Sequence, residues 1–292
     1  MTQAAGDISS PGILSRLKIS AGGNRSGVLV LPAALYLLVI YAIPLVLLLI
    51  KSVWTPEGLS FASYREFLAD PFGWHVIANT LWIAVWVSAL AILIGYPMAI
   101  ALSRARGWTQ VLLFVSLILP LSVGAVVKTF SWQIVLRRDG AINLALQHLG
   151  IIDEPLRLLF TEPGLVIGAL NILLPFMVLP IYSVLKQIDP EIASAATTLG
   201  AGPVYRFLHV SLPLSMPGII AGTAFVFSMS VAMYVIPSLL IGDRYQTLAT
   251  LTGRSFLFLR NEKLGATTAV ILLVISILVI FLSDRLNRRL HQ

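Results

Sequence analysis

GLVIGALNILLPFMVLPIYSVL (Gly164–Leu185), followed directly by KQIDPEIASAATTLGAGPVYRFLHVSLP (Lys186–Pro213), decides the fold. The first segment carries no charged side chain and is long enough to cross a hydrocarbon layer of about 30 Å as a helix. The second is polar, and its punctuation predicts two short helices meeting at a glycine corner. Asp189 supplies a capping carboxylate, Pro190 fits the first helical position, and Glu191 meets the positive end of the helix dipole. Ile192, Ala195, Ala196 and Leu199 share one face; Gly200 and Gly202 end that helix and Pro203 opens another. The second helix sets Val204, Phe207 and Leu208 on one side and Arg206 on the other before Pro213 starts the next apolar run. An exposed face of small apolar residues suits a partner's groove, although the loop could also pack beneath its own bundle.

Outward from this stretch, five more windows satisfy the length requirement, giving six at Val28–Ile50, Val76–Leu102, Gln110–Phe130, Gly164–Leu185, Leu214–Ile241 and Ala266–Leu282. Pro32, Pro44, Pro97, Pro120, Pro175, Pro180, Pro217 and Pro237 fall in the first five. Packed neighbours can satisfy the carbonyls such prolines free, so kinked helices around a pathway are expected. Composition agrees: the 292 residues are 58% hydrophobic and 11% charged, with a mean hydropathy of +0.91, against about 25% charged in a soluble domain. The predicted class is all-α, a polytopic membrane protein with six transmembrane helices. It divides into a polar tail (residues 1–27), a membrane domain (28–284) containing the loop 186–213, and a basic tail (285–292). The first apolar run is too long for a signal-peptide core and no small-residue cleavage site follows it, so it is expected to be retained.

The net charge of +7 arises from 20 Lys and Arg scattered through short connections. No basic stripe interleaved with aromatics exists, so membrane lipid, not nucleic acid, is the expected partner of these cations. The absence of cysteine excludes disulfides, thiolate metal sites and a cysteine nucleophile. With both termini inside, the basic residues split evenly: Arg16, Lys18, Arg25, Arg104, Arg106, Lys186, Arg206, Arg285, Arg288 and Arg289 lie on the inner side and ten on the outer. The Arg104/Arg106 turn and the Arg285, Arg288, Arg289 cluster abut span ends and favour the cytoplasm. Four acids, Asp7, Asp189, Glu191 and Asp284, fall inside and nine outside. The outer loops, Lys51–His75, Ser131–Pro163 and Gly242–Gly265, are the longer ones. Within the second, Ile142, Leu144, Ala145, Leu146, Leu149 and Ile151 have roughly helical spacing, suiting a surface helix or a cover over the bundle mouth.

The loop resembles that of the integral membrane (permease) subunits of binding-protein-dependent ABC importers. Their pattern is Glu-Ala-Ala, three residues, Gly, nine residues, Ile-x-Leu-Pro; here Ala195, Ala196, Gly200, Val210, Leu212 and Pro213 hold the matching places. Ser194 stands where the family has Glu, and Glu191, almost one turn earlier, is the nearest acid. Asn79-Thr80-Leu81, Gly95-Tyr96-Pro97, Leu119-Pro120, Ile188-Asp189-Pro190 and Tyr234-Val235-Ile236-Pro237 look like the spermidine/putrescine-type permeases. The resemblance implies the type I importer fold and a cytoplasmic loop and termini. It also implies a second permease, the same chain or a paralogue, two ATPase subunits that use ATP and Mg, and a periplasmic solute-binding protein. Polyamines are the implied cargo, with amino-acid derivatives, opines, phosphonates or ferric iron as alternatives in the same class. The ATPase-coupling set then comprises Glu191, Ser194, Ala195, Ala196, Leu199, Gly200, Pro203, Arg206, Val210, Leu212 and Pro213.

No Gly-x-x-x-x-Gly-Lys-[Ser/Thr] loop occurs, so hydrolysis is expected in another polypeptide and this chain is not expected to be an enzyme. His75, His148, His209 and His291 show no metal-ligand spacing, and no cofactor is expected on this chain. Asn79, Tyr96, Asn171 and Tyr234 are the intramembrane polar groups and hence the translocation-pathway candidates. No carboxylate lies deep in a span, leaving selection of a polycation mainly to the binding protein. Lys128 is expected to snorkel. Asp139, Asp153, Glu154, Asp243 and Glu262 belong to the outer loops, where they could dock a binding protein or be hydrated. The rival classes are an ion-coupled secondary transporter, which would want intramembrane charges or broken helices gripping an ion, and a membrane enzyme, which would want a polar constellation at one depth.

Overall fold

The computed structural model describes the backbone of residues 24–55, 58–242 and 245–290, without side-chain placement at 24–31, 33, 55, 190, 193–195 and 287–290. Outside this description fall Asp7, Arg16, Lys18, Asp243 and His291, and the side chains of Arg25, Ser194, Ala195, Arg288 and Arg289. Thirteen α-helices run through the described residues: α1 (Asn24–Val53), α2 (Ala62–Ala69), α3 (Pro71–Arg104), α4 (Trp108–Ile118), α5 (Ala125–Val135), α6 (Ala141–His148), α7 (Glu162–Gln187), α8 (Pro190–Thr198), α9 (Pro203–Arg206), α10 (Leu212–Ala232), α11 (Val235–Leu240), α12 (Leu248–Leu257) and α13 (Glu262–Leu290). An antiparallel pair, β1 (Trp54–Thr55) and β2 (Gly58–Leu59), is the one strand feature among them.

Five helices are long and apolar enough to cross a membrane, six if a bent pair forms one span. Of the described residues, those of α1 up to Ile50 belong to one unit and those from Lys51 onward to a second. Within the second unit α3, α7 and α10 pack on one another, α13 packs on α10 and α12, and α11 on α5.

The α3–α7–α10 contact is built on missing side chains. A Cβ on Gly218 would lie 2.9 Å from both the Ile181 Cα and the Pro180 carbonyl oxygen, so at that point the α10 backbone lies against the α7 backbone. One turn on, a Cβ on Gly222 would come 2.9 Å from the Met177 sulfur, and on α3 a Cβ at Gly95 would come 2.9 Å from Met177 Cγ. Met177 is fully buried where the three helices meet. Small residues permit this approach in a membrane bundle, where dispersion between close surfaces replaces the hydrophobic drive.

Two spans differ from the sequence expectation. The window Gln110–Phe130 is not a continuous helix: Trp108–Ser122 and Ala125–Val135 meet at 105°. Pro120 lies in a tight 3-10 turn, Leu119–Ser122, and the break follows it, where Val123 is extended and Gly124 leaves helical geometry before α5 begins. The window Leu214–Ile241 is displaced at both ends. The apolar helix starts at Pro203 and stops at Ala232. Continuing it would drive the Pro237 ring against the Met233 carbonyl; Met233 instead adopts an extended conformation and α11 restarts at Val235.

The outer-loop helix expected around Ile142–Ile151 is α6. Its organiser is Asn143, whose amide nitrogen donates to the Arg137 and Leu156 carbonyls while its oxygen accepts from the Leu156 amide at 2.8 Å. Substituting Gly218 by Val should lower the thermal midpoint of the detergent-solubilised protein by about 5 °C or more, because backbone cannot yield as a side chain can. Gly124→Ala, where an added Cβ meets nothing within 4 Å, should leave the midpoint unchanged in the same melt.

Candidate functional site

The segment 186–213 folds as its punctuation predicts at the start. Asp189 caps α8, its carboxylate accepting the Glu191 amide at 2.9 Å. At the other end the Gly200 amide bonds the Thr197 carbonyl and the Ala201 amide the Ala196 carbonyl, both at 3.0 Å. Gly200 has φ +82°; this is a Schellman cap with glycine in the left-handed position. A Cβ at Gly200 would meet nothing within 4 Å, so the demand for glycine here is conformational and not steric.

Gly202 precedes α9, and Arg206 donates from its guanidinium to the Thr197 hydroxyl, clasping α9 to α8. Beyond α9 the expectation of a separate second helix ending before Pro213 fails. α9 runs through a π turn, Phe207–Ser211, straight into α10, forming one helix over Pro203–Ala232. Pro213 cannot donate to the His209 carbonyl and would crowd it in a regular turn. The wider turn, in which the Leu212 amide reaches back to the Phe207 carbonyl, lets the helix pass the proline.

The protruding face is apolar. Leu199 is 87% exposed and Val204 69%, with Tyr205, Leu208 and Ile192 also exposed. Glu191 and Pro213 are exposed as well, while Ala196, Arg206, Val210 and Leu212 are half-buried. Beneath the elbow lies a cavity of about 530 Å³ bordered by Arg104, Asp189, Pro203, Arg206, Phe207 and Val210.

Tyr96, one of the four intramembrane polar candidates, ties this elbow to the bundle. It is buried, and its hydroxyl lies 2.9 Å from the Ser215 hydroxyl. Ser215 gives its own hydrogen to the Leu212 carbonyl, so Tyr96 is the donor. The Tyr96 ring meets Phe207, first residue of the π turn, edge-on at 5.7 Å. Asn79 donates to the Gln246 carbonyl at 3.2 Å, and beside it Thr80 accepts the Leu248 amide at 2.8 Å, seating the start of α12 on α3. Tyr234 packs against Gly253, where a Cβ would come within 2.4 Å of its ring. With Gln246, Thr250 and Arg254 it borders a cleft of about 560 Å³. Asn171 accepts the Trp132 indole N–H at 3.3 Å and, with Lys128, borders a cleft of about 360 Å³ at the bend between α4 and α5. The four candidates therefore occupy separate places; only Asn79 and Tyr234 approach a common segment, through Gln246. Sequence reading missed Thr80, Gly253 and the Tyr96–Ser215 bond. Gly253 carried no signal a single sequence can show, Thr80 stood in the Asn79-Thr80-Leu81 stretch without a role of its own, and a serine two residues past Pro213 could have been paired with the tyrosine beside Pro97.

Residues 91–292 match the family described as binding-protein-dependent transport system inner membrane component. Similar curated proteins include the spermidine/putrescine transport system permease PotB of Haemophilus influenzae, 32% identical over 263 residues, covering 88% of this chain and 92% of that one. PotB of Escherichia coli K12 is 32% identical over 225 residues, covering 77% and 82%. Among solved structures, a bacterial ABC transporter that imports the acidic polysaccharide alginate superposes with a TM-score of 0.72 at 15% identity, covering 92% of this chain and 97% of that one. The MetNI methionine ABC transporter gives 0.58 at 16%, covering 76% and 98%. The chain belongs to the family of inner-membrane permease subunits of binding-protein-dependent ABC importers, and is a multi-pass protein of the inner membrane.

Tyr96→Phe keeps the ring on Phe207 and removes the donor to Ser215. It should destabilise the protein by about 1 kcal/mol, and combining it with Ser215→Ala should add little further, as a double-mutant cycle read by thermal or denaturant unfolding would show.

Proposed function

We propose that this permease carries polyamines such as spermidine and putrescine, forming half of a pathway that alternates between inward-open and outward-open states. The cargo reading is carried by the 32% identity to spermidine/putrescine permeases across almost the whole chain. Hydrolysis of Mg-bound ATP belongs to two separate ATPase subunits, and a second permease, identical or paralogous, supplies the other half of the pathway. A periplasmic solute-binding protein delivers the cargo; the structurally similar alginate transporter was crystallised with a pentasaccharide-bound periplasmic protein. Both termini and the 186–213 loop face the cytoplasm.

The elbow is the ATPase contact. Leu199, Val204 and Leu208 leave apolar surface exposed that a groove on a partner would bury. For ATP to shift the bundle, that contact must differ in energy between the closed and open ATPase pair, since an equal contact shifts no population. Ser194 in place of the family's Glu leaves Glu191, exposed on α8, as the nearest acid for the contact.

Leu199→Asp combined with Val204→Asp should abolish co-purification of the ATPase subunits while the permease still reaches the membrane. Gly200→Val forces a β-branched residue into a left-handed conformation costing about 1–2 kcal/mol; it should leave ATP hydrolysis largely intact and lower labelled-spermidine uptake, whereas Gly200→Asn, which tolerates that conformation, should retain more uptake. Uptake by the wild type of neither spermidine nor putrescine, with a cognate binding protein that binds neither, would reject the cargo reading.

A further inference from the structure

On α3, Asn79, Trp82 and Trp86 fall at i, i+3 and i+7 and share a face. Trp82 donates its indole N–H to a Glu162 carboxylate oxygen at 3.2 Å, joining α3 to the first residue of α7. The Trp86 ring meets Trp82 edge-on, with centroids 5.6 Å apart and planes at 79°. Both indoles stand about half exposed, at 52% and 45%. The Asn79 bond to the Gln246 carbonyl ties the residue that follows Tyr245 to this face, and Tyr245 lies close enough to Glu162 to feel its charge. Burial first, and the nearby Glu162 charge second, push the Tyr245 phenol up to about 12; like any phenol below its pKa it is neutral at physiological pH and can accept or donate a hydrogen bond. The ion pairs Lys51–Glu262 and Arg137–Asp139 do not involve Glu162.

A carboxylate accepts up to about four hydrogen bonds, and the Trp82 N–H uses one of them. Indole faces attract a cation through the ring quadrupole, most strongly for Trp. A half-buried carboxylate bonded to one indole, with a second indole edge-on against the first and a neutral phenol nearby, fits a primary ammonium group: the carboxylate takes the charge and its N–H bonds, and the rings cover its methylene stem. We propose that Glu162, Trp82, Trp86 and Tyr245 form a binding site for a primary ammonium group on this permease. Such a group is carried at both ends of a polyamine and by the ethanolamine headgroup of a phospholipid. The first source rests on the polyamine reading above; the second does not.

The complete transporter, with its ATPases and binding protein, should be reconstituted in phosphatidylglycerol/phosphatidylcholine vesicles with and without phosphatidylethanolamine. Labelled-spermidine uptake is then compared between wild type and the variants Glu162→Gln, Trp82→Leu and Glu162→Asp. The site predicts that Glu162→Gln and Trp82→Leu each slow uptake about fivefold, while Glu162→Asp, which keeps the charge, retains most of it and so separates loss of the site from misfolding. Slowing in both vesicle types assigns the ammonium to the cargo, and slowing confined to ethanolamine-containing vesicles assigns it to the lipid. Unchanged uptake in both types overturns the site while leaving the polyamine reading intact. Should the wild type import neither spermidine nor putrescine, the polyamine reading fails by itself. The site is then decided by the ethanolamine dependence of the ATPase rate, which Glu162→Gln abolishes if the site stands and leaves unaltered if it does not.

Discussion

At Gly218 the backbone of α10 touches the backbone of α7, and at Gly222 it lies on Met177, which also fills the space left by Gly95 of α3. Contacts made by backbone have no rotamers to yield through, so α7 and α10 are held firmly together over this stretch, with α3 packed on the Met177 and Val178 side chains. Everything else in the functional segment hangs from α10. The helix continues without a break from its membrane part through the π turn to Pro203, and Arg206 binds α8 to that end. A force applied to Leu199 or Val204 therefore acts on a lever whose other arm is embedded in the bundle. Tyr96 braces the lever at its π turn, with a hydrogen bond on the membrane side of the turn and a ring contact on the turn itself.

The π turn reconciles two demands that conflict in a regular helix. Pro213 takes away an amide that the helix would use, yet the arm Pro203–Ser211 stays continuous with the span. Widening the turn over Phe207–Ser211 absorbs the missing donor while preserving continuity. The glycine corner at Gly200 works in the opposite sense, ending α8 with a saturated cap so that the chain can reverse into α9.

Much of this was legible in the sequence. Six apolar windows, the Asp189-Pro190-Glu191 start, the Gly200 stop and the helix near Ile142 all depend on local chemistry, which a single chain displays. What escaped was set by the interplay of neighbours. Length and apolarity place a span over Gln110–Phe130, but the chain turns at the break that follows Pro120. Pro213 marks a helix start by local rules, and only the continuity of the backbone reveals that the helix passes through it. Tyr96 read as a pathway residue because a polar group within a span has few local explanations. Its partners, Ser215 and Phe207, are more than a hundred positions away in the chain, and no local pattern joins them. Glu162 falls within the outer-loop range Ser131–Pro163, whereas the fold makes it the first residue of α7 and sets it against Trp82.

Rigidity of the lever is the claim on which the account of coupling rests, and a spin-spin distance measures it directly. The chain contains no cysteine, so Val204→Cys on α9 and Phe225→Cys on α10, both exposed positions, would carry the labels. Twenty-one residues of helix separate the labels by about 31 Å at 1.5 Å per residue, within reach of pulsed electron paramagnetic resonance. The account predicts one narrow distance that stays the same in the assembled transporter with and without ATP. A distribution that broadens or shifts when ATP binds would show that the helix bends at the π turn, and would contradict it.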